Sequence, residues 1–256
     1  MSLLSAERVL LVNDDGIEGP GLVLLEKLIR NVCDDVWVIA PDEERSGASH
    51  SLSITVPVRM KEAGHQRYAV KGTPTDCVLL AYYEIMKNNP PTLLLSGINR
   101  GANLGEDVTY SGTTSAALEG VLLGMKSIAL SQIFSYGNST HWETAEKYAK
   151  PLLEKILRVK WRDGIFYNIN FPDAAPEHVS GVKITKQGRR EPGSFIPEQR
   201  FDGRELPYYW IRLLYKEGVN HPDSDLAAVE NNAISVTPLQ PEMTNEELMF
   251  KLRDYF

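Results

Sequence analysis

The sequence predicts an α/β fold: a doubly wound, mainly parallel sheet with helices on both faces. Three observations carry that prediction. Short apolar runs alternate with helical patterns of about 10–15 residues from the N-terminus onward, which is the rhythm of strand–helix–strand units. Polar, glycine-containing loops follow the runs, at the strand ends where such sheets keep their ligands. With 43% hydrophobic and 24% charged residues in a chain of 256, there is core enough for one or two domains.

Arg8–Val12 reads as the first buried strand and ends at Asn13. Leu22, Leu25, Leu28 and Ile29 then recur at helical spacing, and Pro20 suits a first helical turn. Val36–Ala40 is the second strand, closed by Pro41. Thr92–Leu95 follows the stop at Asn89–Pro91, and Ser127–Leu130 comes next. Thr75–Lys87 and Thr113–Met125 read as the helices between them. Leu52–Met60 alternates with period two and Gln66–Val70 can return beside it, which predicts an inserted β-hairpin. Thr140–Val159 predicts a long helix that Pro151 should kink or split, and Ile165–Ile169 a further strand.

Beyond Pro172 the texture changes. Pro172, Pro176, Pro192, Pro197 and Pro207 fall close together, and Tyr208–Tyr215 is an aromatic strand with little around it to pack on. The expected organisation is a core over residues 1–172 and an extension over 173–256. A β-rich arm over about 190–215 should dock on another part of the molecule or on another subunit. Ala233–Val236 is a last short strand and Asn245–Asp254 a closing helix.

Charge narrows the function. Twenty-seven Lys and Arg against 34 Asp and Glu leave a net of −7. Duplex DNA binding rests on neutralising phosphates with basic side chains, so that class is disfavoured. A phosphorylated small molecule still fits if a metal ion or a helix N-terminus supplies positive charge locally. Cys33 and Cys77 form no metal or redox pattern and read as buried free thiols. The N-terminus lacks a basic leader region, and no apolar stretch approaches the ~20 residues of a membrane helix. The cytoplasm is the expected compartment, with no membrane partner.

Three loops should meet at one edge of the sheet: Asn13–Gly16, Pro41–Ser49 and Ser96–Asn103. Asp14 and Asp15 are contiguous carboxylates at a strand end and repel each other. Together with a Ser hydroxyl and Asn amide oxygens they make a hard-oxygen set suited to Mg²⁺, Mn²⁺ or Ca²⁺. On residues alone, a plain turn capping the next helix explains Asp14-Asp15-Gly16 as well. Further on, Ser111 is a good N-cap, and Gly112 lets a ligand approach the backbone of the helix it opens. Free N–H groups and the helix dipole there would bind an anion, although a plain N-cap again remains open. Strand one carries neither a dinucleotide fingerprint nor an Asp-x-Asp, and P-loop and nucleophile-elbow patterns are missing. The five histidines do not cluster; His50 lies nearest the second loop. Asp223-Ser224-Asp225 reads as a capped turn rather than a calcium loop.

These motifs carry a resemblance. Leu11–Ile17, Pro41-Asp42 with Arg45-Ser46-Gly47, Gly72-Thr73-Pro74 with Asp76-Cys77-Val78, and Ser96–Gly105 running on to Ser111-Gly112-Thr113 closely resemble the SurE family. That family comprises stationary-phase survival proteins, which are metal-dependent 5′/3′-nucleotidases. Ser235–Leu239 also fits, so the resemblance spans essentially the whole chain. It implies a Rossmann-like core and one divalent metal ion (Mg²⁺ or Mn²⁺, with Ca²⁺ able to occupy the site). The metal would be held at Asp14, Asp15, Ser46 and Asn99. It further implies nucleoside monophosphate substrates and a homodimer or homotetramer joined through the C-terminal arm. On that reading Asp14 and Asn103 are catalytic. Asn103, Ser111, Gly112 and Thr113 bind phosphate, with Arg100 as a further candidate. A nucleotide-binding sensor without turnover is the alternative. Thr114 stands where the family commonly has Val, a swap that leaves the backbone anion site alone.

Overall fold

The computed structural model describes residues 2–135, 137, 139–190, 195–213 and 221–256. Its main sheet has nine strands. In chain order these are β1 (Val9–Val12), β2 (Val36–Pro41), β3 (Arg59–Gly64), β4 (Arg67–Lys71), β5 (Leu93–Arg100), β6 (Lys126–Gln132), β7 (Phe166–Phe171) and β8 (Gly181–Ile184), with β11 (Ala233–Leu239) as the ninth. The spatial order is β3-β4-β2-β1-β5-β6-β7-β11-β8. The six strands from β4 to β7 are mutually parallel, while β3 and β11 run antiparallel to their neighbours β4 and β7. Strand order reverses between β1 and β5, so a crevice opens at their carboxyl ends, the position where such sheets bind ligands.

The helices cover both faces. On one side α1 (Pro20–Arg30) and α4 (Trp142–Arg158) bury Leu22, Leu25, Ile29, Ala149 and Leu153 against Val9, Leu11, Val38 and Leu95. On the other, α2 (Pro74–Leu80) and α3 (Gly112–Leu122) bury Cys77, Val78, Ala116 and Ala117 against Leu10, Val12, Ile39 and Leu94. Alternate residues of β1 thus feed opposite cores, and all four are fully buried, as expected for a central parallel strand. Both cysteines are free and buried, and burial pushes both thiols up.

Three expectations are corrected. Leu52–Val58 is not strand; pairing begins at Arg59. The backbone there bonds to the cap of α2 instead, with the Thr73 hydroxyl donating to the Ser51 carbonyl and Ser53 N–H to Asp76. Nor does Pro151 split α4, which runs unbroken over 17 residues. Pro151 and Lys147, whose carbonyl loses its partner, both face solvent, so water can satisfy that carbonyl. Finally, β5 runs past Leu95 to Arg100, with a register shift between Ser96 and Asn99. Gly97 permits this, since a Cβ there would lie 2.3 Å from the Leu130 carbonyl oxygen.

Residues 195–213 form a separate antiparallel hairpin of β9 (Phe195–Phe201) and β10 (Pro207–Leu213). No other strand pairs with it among the described residues. The aromatic strand expected over 208–215 is seen as far as Leu213; Leu214 and Tyr215 lie outside the described residues. Ser224 caps α5 (Asp225–Glu230) by accepting the Ala227 N–H, the capped turn the sequence suggests. The chain closes with α6 (Glu246–Arg253), capped by Asn245. Among the described residues no helix is long and apolar enough to cross a membrane.

Candidate active site

Asp14 and Asp15 follow β1 after Asn13 and sit at the reversal point. Asn13 shapes their turn: its Nδ2 donates to the Gly16 carbonyl at 2.7 Å, and its buried Oδ1 has no partner. The β2 loop closes in through the Arg45 N–H, which donates to the Asp14 carbonyl at 2.7 Å. The end of β5 closes in through the Arg100 N–H, which donates to Asp15 Oδ2 at 3.0 Å. All three expected loops therefore meet at one sheet edge.

Helix α3 points its N-terminus at the same place. A Cβ on Gly112 would lie 2.9 Å from Asp14 Cβ and 3.0 Å from Asp14 Oδ2. Sequence alone reserves Gly112 for an approaching ligand; the structure shows that the group approaching it is Asp14. The Thr113 hydroxyl donates to Asp14 Oδ1. The Asp14 carboxyl is pushed up to about 6, chiefly by burial and also by Asp15, while hydrogen bonds from the Thr113 hydroxyl and backbone pull it down. Burial also raises Asp15, as does the nearby Glu44, against the lowering effect of Arg100. Two crowded carboxylates, one of them buried, are thus held together at an electrostatic cost.

The other expected residues are placed as follows. Asn99 lies at the end of β5 and donates Nδ2 to the Gly101 carbonyl at 3.1 Å, which leaves its amide oxygen as the free acceptor end. Ser46 is exposed on the β2 loop, next to Arg45, and its hydroxyl donates to Glu44 at 2.8 Å. Ser111 caps α3, its hydroxyl accepting the Thr114 N–H at 3.1 Å. Asn103 is buried, with Nδ2 donating to the Ser131 hydroxyl at 2.8 Å. Its backbone is gripped as well: its N–H donates to Asn170 Oδ1 at 2.9 Å, and its carbonyl accepts from Asn168 and Asn170. Arg100 turns its guanidinium aside, onto the Phe134 ring at 4.3 Å and toward the Thr140 hydroxyl. His50 pairs with Glu119 of α3 at 2.8 Å. Thr114 donates to the Val108 carbonyl, away from the helix mouth.

Sequence reasoning missed the roles of Asn13, Ser131, Asn168 and Asn170. The two asparagines alternate on β7, polar positions in a strand otherwise apolar enough to be buried, and that was the available signal.

Two contiguous carboxylates beside a helix N-terminus at the reversal point define a class: a doubly wound α/β protein whose polar loops meet at its switch point, the position where such sheets bind ligands. The family model for survival protein SurE matches residues 9–194, and the chain belongs to that family. A Parvibaculum lavamentivorans protein named 5′-nucleotidase SurE is 45% identical over 251 residues, covering 96% of this chain and 90% of its own. One of the same name from Methylorubrum extorquens is 46% identical over 241 residues, covering 93% and 95%. The crystal structure of SurE protein from Aquifex aeolicus superposes with a TM-score of 0.82 at 37% identity, covering 96% of this chain and 98% of that one.

Proposed function

We propose that this chain is a metal-dependent phosphomonoester hydrolase, a 5′-nucleotidase that also accepts 3′-esters, releasing phosphate from nucleoside monophosphates. The observation that carries the reading is the close approach of Gly112 to Asp14, which brings one of two adjacent carboxylates to a helix N-terminus. The donor set suits a hard divalent ion, Mg²⁺ or Mn²⁺, with Asp14, Asp15, Asn99 and Ser46 as its residues. It contains only two acids, so it differs from a three-acid cage, and no cluster of three or more His, Cys, Asp or Glu that could hold a metal occurs among the described residues. Ser46 would need to turn from Glu44 to join it.

When bound, such an ion neutralises phosphate charge and activates water. The chain's own residues do the rest. Asp14, already gripped by Thr113, is fixed on one side of the phosphate and steers the attacking water. Gly112 presents an N–H of the first helical turn, which has no intrahelical acceptor. Asn103 uses one N–H on Ser131 and keeps the second for a phosphate oxygen. Asn103→Ala should lower kcat by about 10²–10³, the usual cost of losing a preorganised donor to developing charge. Unchanged kcat/KM and unchanged inhibition by inorganic phosphate would remove Asn103 from the reaction.

A panel of nucleoside 5′- and 3′-monophosphates, assayed with Mg²⁺, Mn²⁺ and Ca²⁺, tests the reading. Phosphate release with one of the first two metals supports it. Nucleotide binding without release under every metal would instead make the site a sensor.

The hairpin of β9 and β10 supports assembly into a homodimer or homotetramer. Isolated two-stranded ribbons are marginal in water, and Tyr209, Trp210 and Ile211 are each more than half exposed. Replacing residues 195–213 with a short Gly-Ser turn should shift gel-filtration elution to the monomer. Elution at the wild-type size would count against the arm.

A further inference from the structure

Arg190 stands far from the site in sequence, yet its side chain is buried at the base of the turn that links Asn103 to α3. Its guanidinium grips Asp107 with both nitrogens, Nη1 to Oδ1 at 3.0 Å and Nη2 to Oδ2 at 2.8 Å. Nη1 also donates to the Leu104 carbonyl at 3.0 Å, and the Arg190 N–H donates to Glu106 at 3.1 Å. Leu104 follows Asn103 directly. At the other end of the turn the Asp107 carbonyl accepts the N–H groups of Tyr110 and Ser111, at 2.9 and 3.0 Å. Ser111 in turn caps α3. One guanidinium therefore holds both ends of a turn whose flanks are the proposed phosphate donors.

A second clamp from the same part of the chain acts in parallel. Asp225 accepts the Gly105 N–H at 2.9 Å and the Gly188 N–H at 2.8 Å, and Gln187 donates to the Gly105 carbonyl at 2.8 Å. Of these residues, Arg190 is the one that reaches both Leu104 and Asp107. Its planar fork fits the carboxylate in a way that a lysine ammonium cannot reproduce.

We propose that Arg190 is a positioning residue for the reaction, holding with Asp107 the 104–110 turn so that Asn103 and the α3 N-terminus face the substrate phosphate. The inference rests on the phosphomonoester reading above. It separates two functions, because Asp14, Asp15 and Asn99 sit on the ends of β1 and β5, outside the turn. The metal residues meet α3 where Thr113 and Gly112 touch Asp14, so loosening the turn should weaken the phosphate contacts more than the metal contacts.

The test compares the full-length wild type with Arg190→Lys, assayed well below both melting temperatures. Misplacing a positioned group by about an ångström can cost ~10²-fold in rate. The expected result is a kcat for AMP lowered by about 10- to 100-fold, a weakened inhibition constant for inorganic phosphate, and a clearly smaller loss of Mn²⁺ affinity. A lower melting temperature with wild-type kcat and wild-type phosphate inhibition overturns the proposal. So does an equal loss of Mn²⁺ affinity, which would mean general loosening. If Arg190→Lys does not fold, Asp107→Asn replaces the fork with a weaker contact and is judged by the same measurements. A wild type that releases no phosphate from AMP sinks the functional reading instead, and phosphate binding by wild type and variant still decides the role of Arg190.

Discussion

Asp14→Asn should abolish nucleotide hydrolysis and, in chelator, raise the melting temperature. The first effect follows from the position of Asp14, at the switch point and under the N-terminus of α3. The second follows from its burial. The folded-state carboxyl titrates at about 6, above its ordinary 3.8. Its ionised form therefore costs stability as pH rises past the unfolded value, and the full cost is present above about 6. Asparagine keeps the shape and the Oδ1 acceptor for the Thr113 hydroxyl while removing the charge. Since a tenfold change in proton affinity is worth about 1.4 kcal/mol, the gain near pH ~8 should be of order 3 kcal/mol. Calorimetry of the chelated proteins reads it directly. A variant less stable than wild type would show that the charge is already compensated within the chain.

Gly112→Val is the second large effect. Its Cβ would meet Asp14 Cβ and Oδ2 at 2.9 and 3.0 Å and Pro74 Cγ at 3.0 Å, so tight that the neighbours must shift. The branched side chain adds two methyl groups to that clash. Overpacking of this kind costs about 1–3 kcal/mol, and here the group pushed aside is the central carboxylate. Activity should fall by more than the ~10²–10³ of a lost donor, and Mn²⁺ affinity should fall with it. A plain N-cap predicts only a lower melting temperature. Wild-type Mn²⁺ affinity in the variant would show that Asp14 yields without losing its metal role.

Much of this site is legible in the sequence because it is local. The strand over residues 9–12 is an unbroken apolar run, and the two aspartates that follow it need no fold to be noticed. Gly112 is legible as a close-approach position but not as to what approaches, because Asp14 lies nearly a hundred residues earlier in the chain. Arg190 is invisible for the same reason: its partners lie 83 and 86 residues back. Period-two alternation misleads at Leu52–Val58, because a strand needs a neighbour and the nearest hydrogen-bonding groups there belong to a helix cap. Pro151 misleads because its missing bond falls on a solvent face. The asparagines of β7 read as part of a buried strand, and only the fold reveals that the loop they hold is the one carrying Asn103.

In the proposed function, Asp14 and a divalent ion together make the hydrolytic site. Phosphate release from AMP by chelator-stripped protein, with Mn²⁺ added back in steps, tests this most directly when wild type and Asp14→Asn are run side by side. The expected result is no release from either stripped protein and recovery with Mn²⁺ in the wild type alone. Full release by protein that elemental analysis finds free of metal, or recovery in Asp14→Asn, would contradict it.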